Sequence, residues 1–242
     1  GTESWVGLQN FRSIFSDADF LQAVGNTLIF TFFTVGIGIS LALALAFFLN
    51  KNRAVYNLVQ SIVYTPHIIS YTSIAVLFMF LMDPQTGIFN LVLDFFGLPQ
   101  LKWMLSEETS LLSIIIVFVW KMLGYNIMII LAALQSVYEA AKMDRAGQVK
   151  TFFHVTIPMI SPTLVFLITN NVTSSFCSFD IIDLMTKGGP KNSSNMMVYW
   201  IYENAFSYYR VGPAMAGAVV LLMLVGSISV LVFTISNRKA HY

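Results

Sequence analysis

The groups able to do chemistry in this chain are few, and most lie inside long apolar runs. Asn171, Ser174, Ser175 and Ser178 recur at i, i+3, i+4 and i+7. In a helix that spacing puts them on one face. Small hydroxyls and an amide on such a face suit a sugar path, because they offer hydrogen bonds to hydroxyl groups without gripping tightly. The same groups are also common contacts between membrane helices, and the spacing does not choose between the two uses. A second constellation is Lys121, Gly124, Tyr125 and Asn126, beside Trp120. Gly124 permits close approach by a neighbour or a solute. Tyr125 or Trp120 could stack on the weakly apolar C–H face of a sugar ring. Lys121 is the one charge deep in its run. An intramembrane charge is a functional candidate by default, and it equally suits an ion pair with Asp180 or a side chain that snorkels.

Other chemistries find no support. The sequence has no G-x-x-x-x-G-K-[ST] phosphate loop and no H-E-x-x-H motif. His67, His154 and His241 are far apart, and none has a metal-ligating neighbour at helical spacing. No Ser/His/Asp set suggests itself. Uphill transport by this chain would draw its energy from another chain or from an ion gradient.

The elements that must carry these residues follow from composition. Of 242 residues, 57% are hydrophobic and 10% charged, with a mean hydropathy of +0.73. A soluble domain is about 25% charged. So little charge excludes a soluble enzyme, a disordered chain and a nucleic-acid module, and leaves an integral membrane protein. A net charge of +1 gives no global basic field, and one Cys excludes an internal disulfide. A helix needs about 20 apolar residues to cross a bilayer. Five segments qualify: 27–49, 55–82, 111–134, 160–182 and 214–236. They are too long and too continuous for barrel strands, so the predicted fold is all-α, a polytopic helical bundle in a single transmembrane domain. Pro66 is expected to kink the second span, because it removes a backbone donor.

Loop charges orient the spans. Residues 50–54, 135–159 and the C-terminal tail carry seven Lys/Arg and a net charge of +5, whereas the opposite side nets −4. By the positive-inside rule the first set is cytoplasmic. Residue 1 then falls outside and residue 242 inside. With neither a signal peptide nor an initiator Met, a first span is expected to be missing, giving six in the natural protein. Trp5, Phe11, Phe15 and Phe20 mark an interfacial amphipathic segment.

The cytoplasmic loop 135–159 is the most informative stretch. Residues 138–147, Tyr-Glu-Ala-Ala-Lys-Met-Asp-Arg-Ala-Gly, read as a short helix ended by Gly147. Ala140 and Ala141 make a small face that fits closely into a groove of another protein. Glu139-Ala140-Ala141, Gly147 eight residues after the Glu and Ile157-Pro158 ten beyond that resemble the EAA signature of binding-protein-dependent ABC importer permeases. Other landmarks agree. Residues 5–11 resemble the outer segment after the family's first span, and Thr65-Pro66 the Leu-Pro of its third. Trp120-Lys121 with Tyr125-Asn126, Phe179-Asp180 and Met185-Thr186-Lys187-Gly188-Gly189-Pro190 resemble the carbohydrate and glycerol-3-phosphate subfamily. The resemblance covers essentially the whole chain.

The resemblance implies a bundle of the type I ABC importer permease type in the bacterial plasma (inner) membrane, with its C-terminus cytoplasmic. Such a chain is not an enzyme and binds no cofactor, because ATP and Mg sit on partner ATPase subunits. Its implied partners are a second permease subunit, two cytoplasmic ATPase subunits, an extracytoplasmic solute-binding protein and membrane lipid, with no nucleic acid. Glu139, Ala140, Ala141, Asp144, Arg145 and Gly147 would couple to the ATPase. The solute path would include Asn171, Ser174, Ser175, Ser178, Lys121, Gly124, Tyr125 and Asn126, and the solute would be a sugar, oligosaccharide or related polyol. The sequence departs from the family in two places. Gln135-Ser136 runs directly into Val137-Tyr138-Glu139 where the family has a few more residues, and Arg145 stands where a small residue is common. The rival class is an ion-coupled secondary transporter or channel, which typically uses in-span acid or His relays or inverted repeats. Here Asp180 is the only in-span acid and no repeat is evident.

Overall fold

A computed structural model describes residues 5–51, 54–140 and 156–239, with side chains left undescribed at 137–140 and 236–239. The described residues form helices and turns without a strand. An amphipathic α1 (Gln9–Phe15) leads into α2 (Ala18–Leu49), whose 32 residues run about 48 Å at 1.5 Å per residue. The expected span 27–49 is thus the inner part of a longer helix. The 55–82 segment is two helices, α3 (Ala54–Ile68) and α4 (Tyr71–Leu81). Pro66 lies inside α3, and the break comes after it, at Ile69-Ser70. A short helix α5 (Ile88–Phe95) and a turn at Trp103–Leu105 precede α6 (Ser110–Ala140). The segment read as 160–182 is α7 (Ile157–Phe176) followed by α8 (Phe179–Met185). A short α9 (Met197–Tyr202) and a wide turn over Glu203–Ser207 lead into α10 (Val211–Lys239). Among the described residues, α2, α6 and α10 are long and apolar enough to cross a membrane. The pairs α3–α4 and α7–α8 reach five spans in all if each counts as one.

The chain packs as two compact units. The first comprises residues 1–32, 71–117 and 173–227. Its core joins Ile14, Phe20, Ala23, Met197, Trp200 and Ala216. Phe20 meets Trp200 edge-on at 4.8 Å, a favoured aromatic geometry. Gly217 makes room for this, since a Cβ there would lie 2.9 Å from the Trp200 ring. Long outer connections are held by side-chain amides. Asn26 Nδ2 donates to the carbonyls of Asn192 and Asn195, both at 2.9 Å. The Met197 amide donates to Thr27 Oγ1 at 2.9 Å. Asn90 accepts from the Trp103 indole at 2.8 Å and donates to Pro84 and Leu101. Lys191 pairs with Glu107 at 2.8 Å, and Gly188 turns the chain at φ +74°. These bonds satisfy loop backbone that regular structure leaves unpaired.

The second unit comprises residues 33–70, 118–172 and 228–242. Its core is Ala42, Ala46, Ile127, Ile130, Leu131, Leu134, Ile160 and Leu167, all fully buried. Small alanines of α2 let its backbone approach α6 and α7, which is how helices associate when lipid removes any hydrophobic drive between them.

Candidate functional site

In the second unit the in-span polar groups are consumed by the protein. Lys121 on α6 is 4% exposed. Its ammonium donates to the carbonyls of Pro66 at 3.3 Å, His67 at 3.1 Å and Ile69. A helix end leaves its last carbonyls without amide partners, and in a membrane each unsatisfied group costs several kcal/mol. Lys121 therefore caps the end of α3, and a cation at a helix C-terminus also complements the helix dipole. The break in the second span falls where this cap sits. Lys121 holds the backbone of its own chain and does not stand open toward a solute.

Gly124, one turn along, is where α3 and α6 touch. A Cβ there would run into the Val63 carbonyl and lie 2.7 Å from Tyr64 Cα. The space goes to a neighbouring helix. Tyr125 is half-buried and stacks on the His67 ring, with centroids 4.8 Å apart. Asn126 and Asn171 are buried and face each other across α6 and α7. Asn126 Nδ2 donates to Asn171 Oδ1 at 3.1 Å, and Asn171 Nδ2 returns a bond to Asn126 Oδ1 at 2.8 Å. Asn171 Nδ2 also donates to the Leu167 carbonyl at 2.8 Å. This reciprocal amide pair satisfies groups that would otherwise be costly to bury.

In the first unit the polar stripe continues differently. Ser175 is buried and shares a 2.8 Å bond with Thr31 Oγ1 on α2. Beyond it the helix stops. The Ser178 amide reaches Ser175 O at 3.4 Å, and the Ser178 hydroxyl donates to Ser174 O at 2.8 Å. The Ser178 hydroxyl thus bonds the carbonyl that its own amide would reach in a continuing helix, while that amide shifts to Ser175. α7 ends at Phe176 and α8 restarts at Phe179. A cleft of about 200 Å³ opens at this break, lined by Tyr71, Ser174, Cys177, Ser178, Asp180 and Ile181.

Four residues predicted to share one helical face therefore divide. Asn171 and Ser175 are tied to neighbouring helices, whereas Ser174 and Ser178 line an open cleft. Tyr71, Cys177 and Asp180 complete the cleft and were not predicted as path residues. Tyr71 gave no signal, because the disturbance expected in 55–82 lay at Pro66 and the break comes after it, at Ile69-Ser70. Asp180 stood in the sequence as an acid near a span end, as part of the Phe179-Asp180 landmark and as a candidate ion-pair partner of Lys121, whose ammonium is instead on the carbonyls at the end of α3. Of the coupling residues, Glu139 and Ala140 are described only as backbone at the end of α6. Ala141, Asp144, Arg145 and Gly147 lie outside the described residues. In the first unit, burial and then the nearby Asp19 carboxylate hold the Glu203 carboxyl above the usual range, against a hydrogen bond from Asn195. No group of three or more His, Cys, Asp or Glu residues among those described is arranged to hold a metal.

The chain matches the family described as "Binding-protein-dependent transport system inner membrane component" over residues 35–242. It is 34% identical to the sn-glycerol-3-phosphate transport system permease protein UgpA of Pectobacterium atrosepticum, over all of this chain and 83% of that protein. Its fold resembles a subunit of a bacterial ABC transporter that imports the acidic polysaccharide alginate. The TM-score is 0.86 at 26% identity, over 98% of this chain and 85% of that one. The same transporter bound to an alginate pentasaccharide-loaded periplasmic protein matches with a TM-score of 0.85 at 25% identity, over 97% and 84%.

Proposed function

The chain belongs to the family of binding-protein-dependent transport system inner membrane components, and on that premise we propose that it moves a sugar, oligosaccharide or related polyol through a path that includes the Ser174–Ile181 cleft. It is an ABC importer permease, an inner-membrane component that works with an ATPase and a periplasmic binding protein. It is not itself an enzyme, and ATP is hydrolysed by the partner. The cleft is the observation that carries the reading of the path. Its hydroxyls and the exposed Asp180 carboxylate sit at a break between two helices, and the Ser178 hydroxyl, which donates to the Ser174 carbonyl, keeps its lone pairs to accept from a solute. Its volume of about 200 Å³ is below the roughly 300–1,000 Å³ of a complete ligand pocket. A second permease of similar fold would supply the facing wall.

In this reading the loop 135–159 and the C-terminus are cytoplasmic, and residues 137–147 dock into one of two ATPase subunits. ATP draws the ATPases together, the docked segment transmits that motion, and the spans reorient to open the path outward. The loaded binding protein then delivers solute, and hydrolysis resets the path inward. Glu139 hydrogen-bonds or pairs in the ATPase groove, and Gly147 permits the turn back toward the membrane.

The test is solute-stimulated ATP hydrolysis in proteoliposomes holding the complete complex and its binding protein. Gly147→Asp and Glu139→Lys are expected to abolish stimulation and uptake while the complex still assembles. Unchanged stimulation in both variants would remove the coupling assignment. Uptake that follows an ion gradient and ignores ATP would point to the secondary-transporter class.

A further inference from the structure

We propose that the Ser174–Ile181 cleft selects an uncharged polyhydroxyl solute against anionic ones, with Asp180 as the deciding residue. The inference rests on the reading of this cleft as part of the solute path. The relatives' names speak of anionic cargo, a glycerol phosphate in one and an acidic polysaccharide in the other. The chemistry of this cleft points elsewhere.

An anion in a membrane path needs a cation or a cluster of free N–H donors to replace its hydration. The residues lining this cleft offer neither. Their one charged side chain is Asp180, and the rest are hydroxyls, a thiol and an aliphatic group. The deep in-span lysine, Lys121, gives its protons to three backbone carbonyls at the end of α3. Swinging it toward a solute would strip those carbonyls of their donor. A carboxylate suits an uncharged sugar well, because its two oxygens accept bonds from adjacent hydroxyls. Ser178 Oγ uses its proton on Ser174 O, which leaves its lone pairs to accept as well. Anionic solutes meet an opposing field, because the Asp180 carboxylate repels a like charge at close range.

The chain carries its own probe. Cys177 is its single cysteine, is exposed, and lines the same cleft. In the complete complex in proteoliposomes, Cys177 would be labelled with a cationic and with an anionic methanethiosulfonate reagent of similar size. Rates would be read from the mass of its peptide and normalised to a free thiol. The cationic reagent is expected to react about tenfold faster, and Asp180→Asn is expected to bring the ratio near one. Uptake would be followed in parallel with neutral di- and trisaccharides and with phosphorylated sugars. Import is expected for a neutral member, and Asp180→Asn is expected to weaken it several-fold. A labelling ratio near or below one in the unaltered protein, or import of a phosphorylated sugar in preference to neutral ones, would overturn the proposal. Absence of ATP-driven import for any solute would count against the proposed function instead, while the labelling ratio would still decide the sign of charge the cleft admits.

Discussion

Lys121 and Asp180 are both charges set in apolar segments, and the chain treats them in opposite ways. In the unit of residues 33–70, 118–172 and 228–242, Lys121 is buried against three carbonyls and the Asn126–Asn171 amides bond to each other. In the unit of residues 1–32, 71–117 and 173–227, Asp180 is exposed and lines a cleft with Ser174 and Ser178. The physical difference lies in the partners. Where a helix end or a facing helix supplies the complementary group, a polar side chain becomes part of the scaffold. Where the helix itself breaks, as after Phe176, polar side chains line a cleft and Asp180 stays exposed. An intramembrane charge is therefore a functional candidate only after the backbone around it has been accounted for.

The largest expected effect tests the scaffold side. Lys121→Met leaves three carbonyls without their donor and should lower the stability of the complex by about 2–5 kcal/mol. Thermal melting in detergent measures this. KM for solute in the surviving fraction should stay near that of the unaltered protein. A normal melting temperature with a large rise in KM would move Lys121 to the solute path and erase the contrast with Asp180.

A medium effect is expected at the amide pair. Asn126→Ala and Asn171→Ala should each cost about 1–2 kcal/mol. In a double-mutant cycle the pair should show a coupling of about 0.6–1.7 kcal/mol. Additive losses would mean that the two amides do not act as one contact.

The smallest stability change belongs to the cleft. Ser178→Ala should lower stability by about 0.5–1 kcal/mol, the worth of the one bond its hydroxyl gives to a carbonyl. Uptake should fall several-fold, mainly through KM. A stability loss matching that of the amide pair, with unchanged uptake, would place Ser178 in the scaffold beside Asn171.

Much of the fold was legible. Long apolar runs predicted α2, α6 and α10, because a bilayer-length apolar segment satisfies its own backbone only as a helix. Gly188-Gly189-Pro190 predicted the outer turn that Gly188 makes at positive φ. The site was only partly legible. Periodicity placed Asn171, Ser174, Ser175 and Ser178 on one face on the assumption of an unbroken helix. The helix stops at Phe176 and a new one starts at Phe179. Pro66 announced a disturbance in the second span, yet the break falls at Ile69-Ser70 beside a lysine more than fifty residues away in sequence. Tyr71 lies at the start of the helix after that break and had no local signal at all.

The sequence by itself determined that this is a membrane-spanning helical chain and the family it belongs to. Composition and a spaced motif are local properties, and local reading recovers them. Which polar residues hold the scaffold and which line the cleft was decided only in three dimensions. A hydrogen-bonding group has the same capacity in every sequence context. Whether it is spent on a helix end, on a facing amide or on a solute depends on what the fold brings within three ångströms of it.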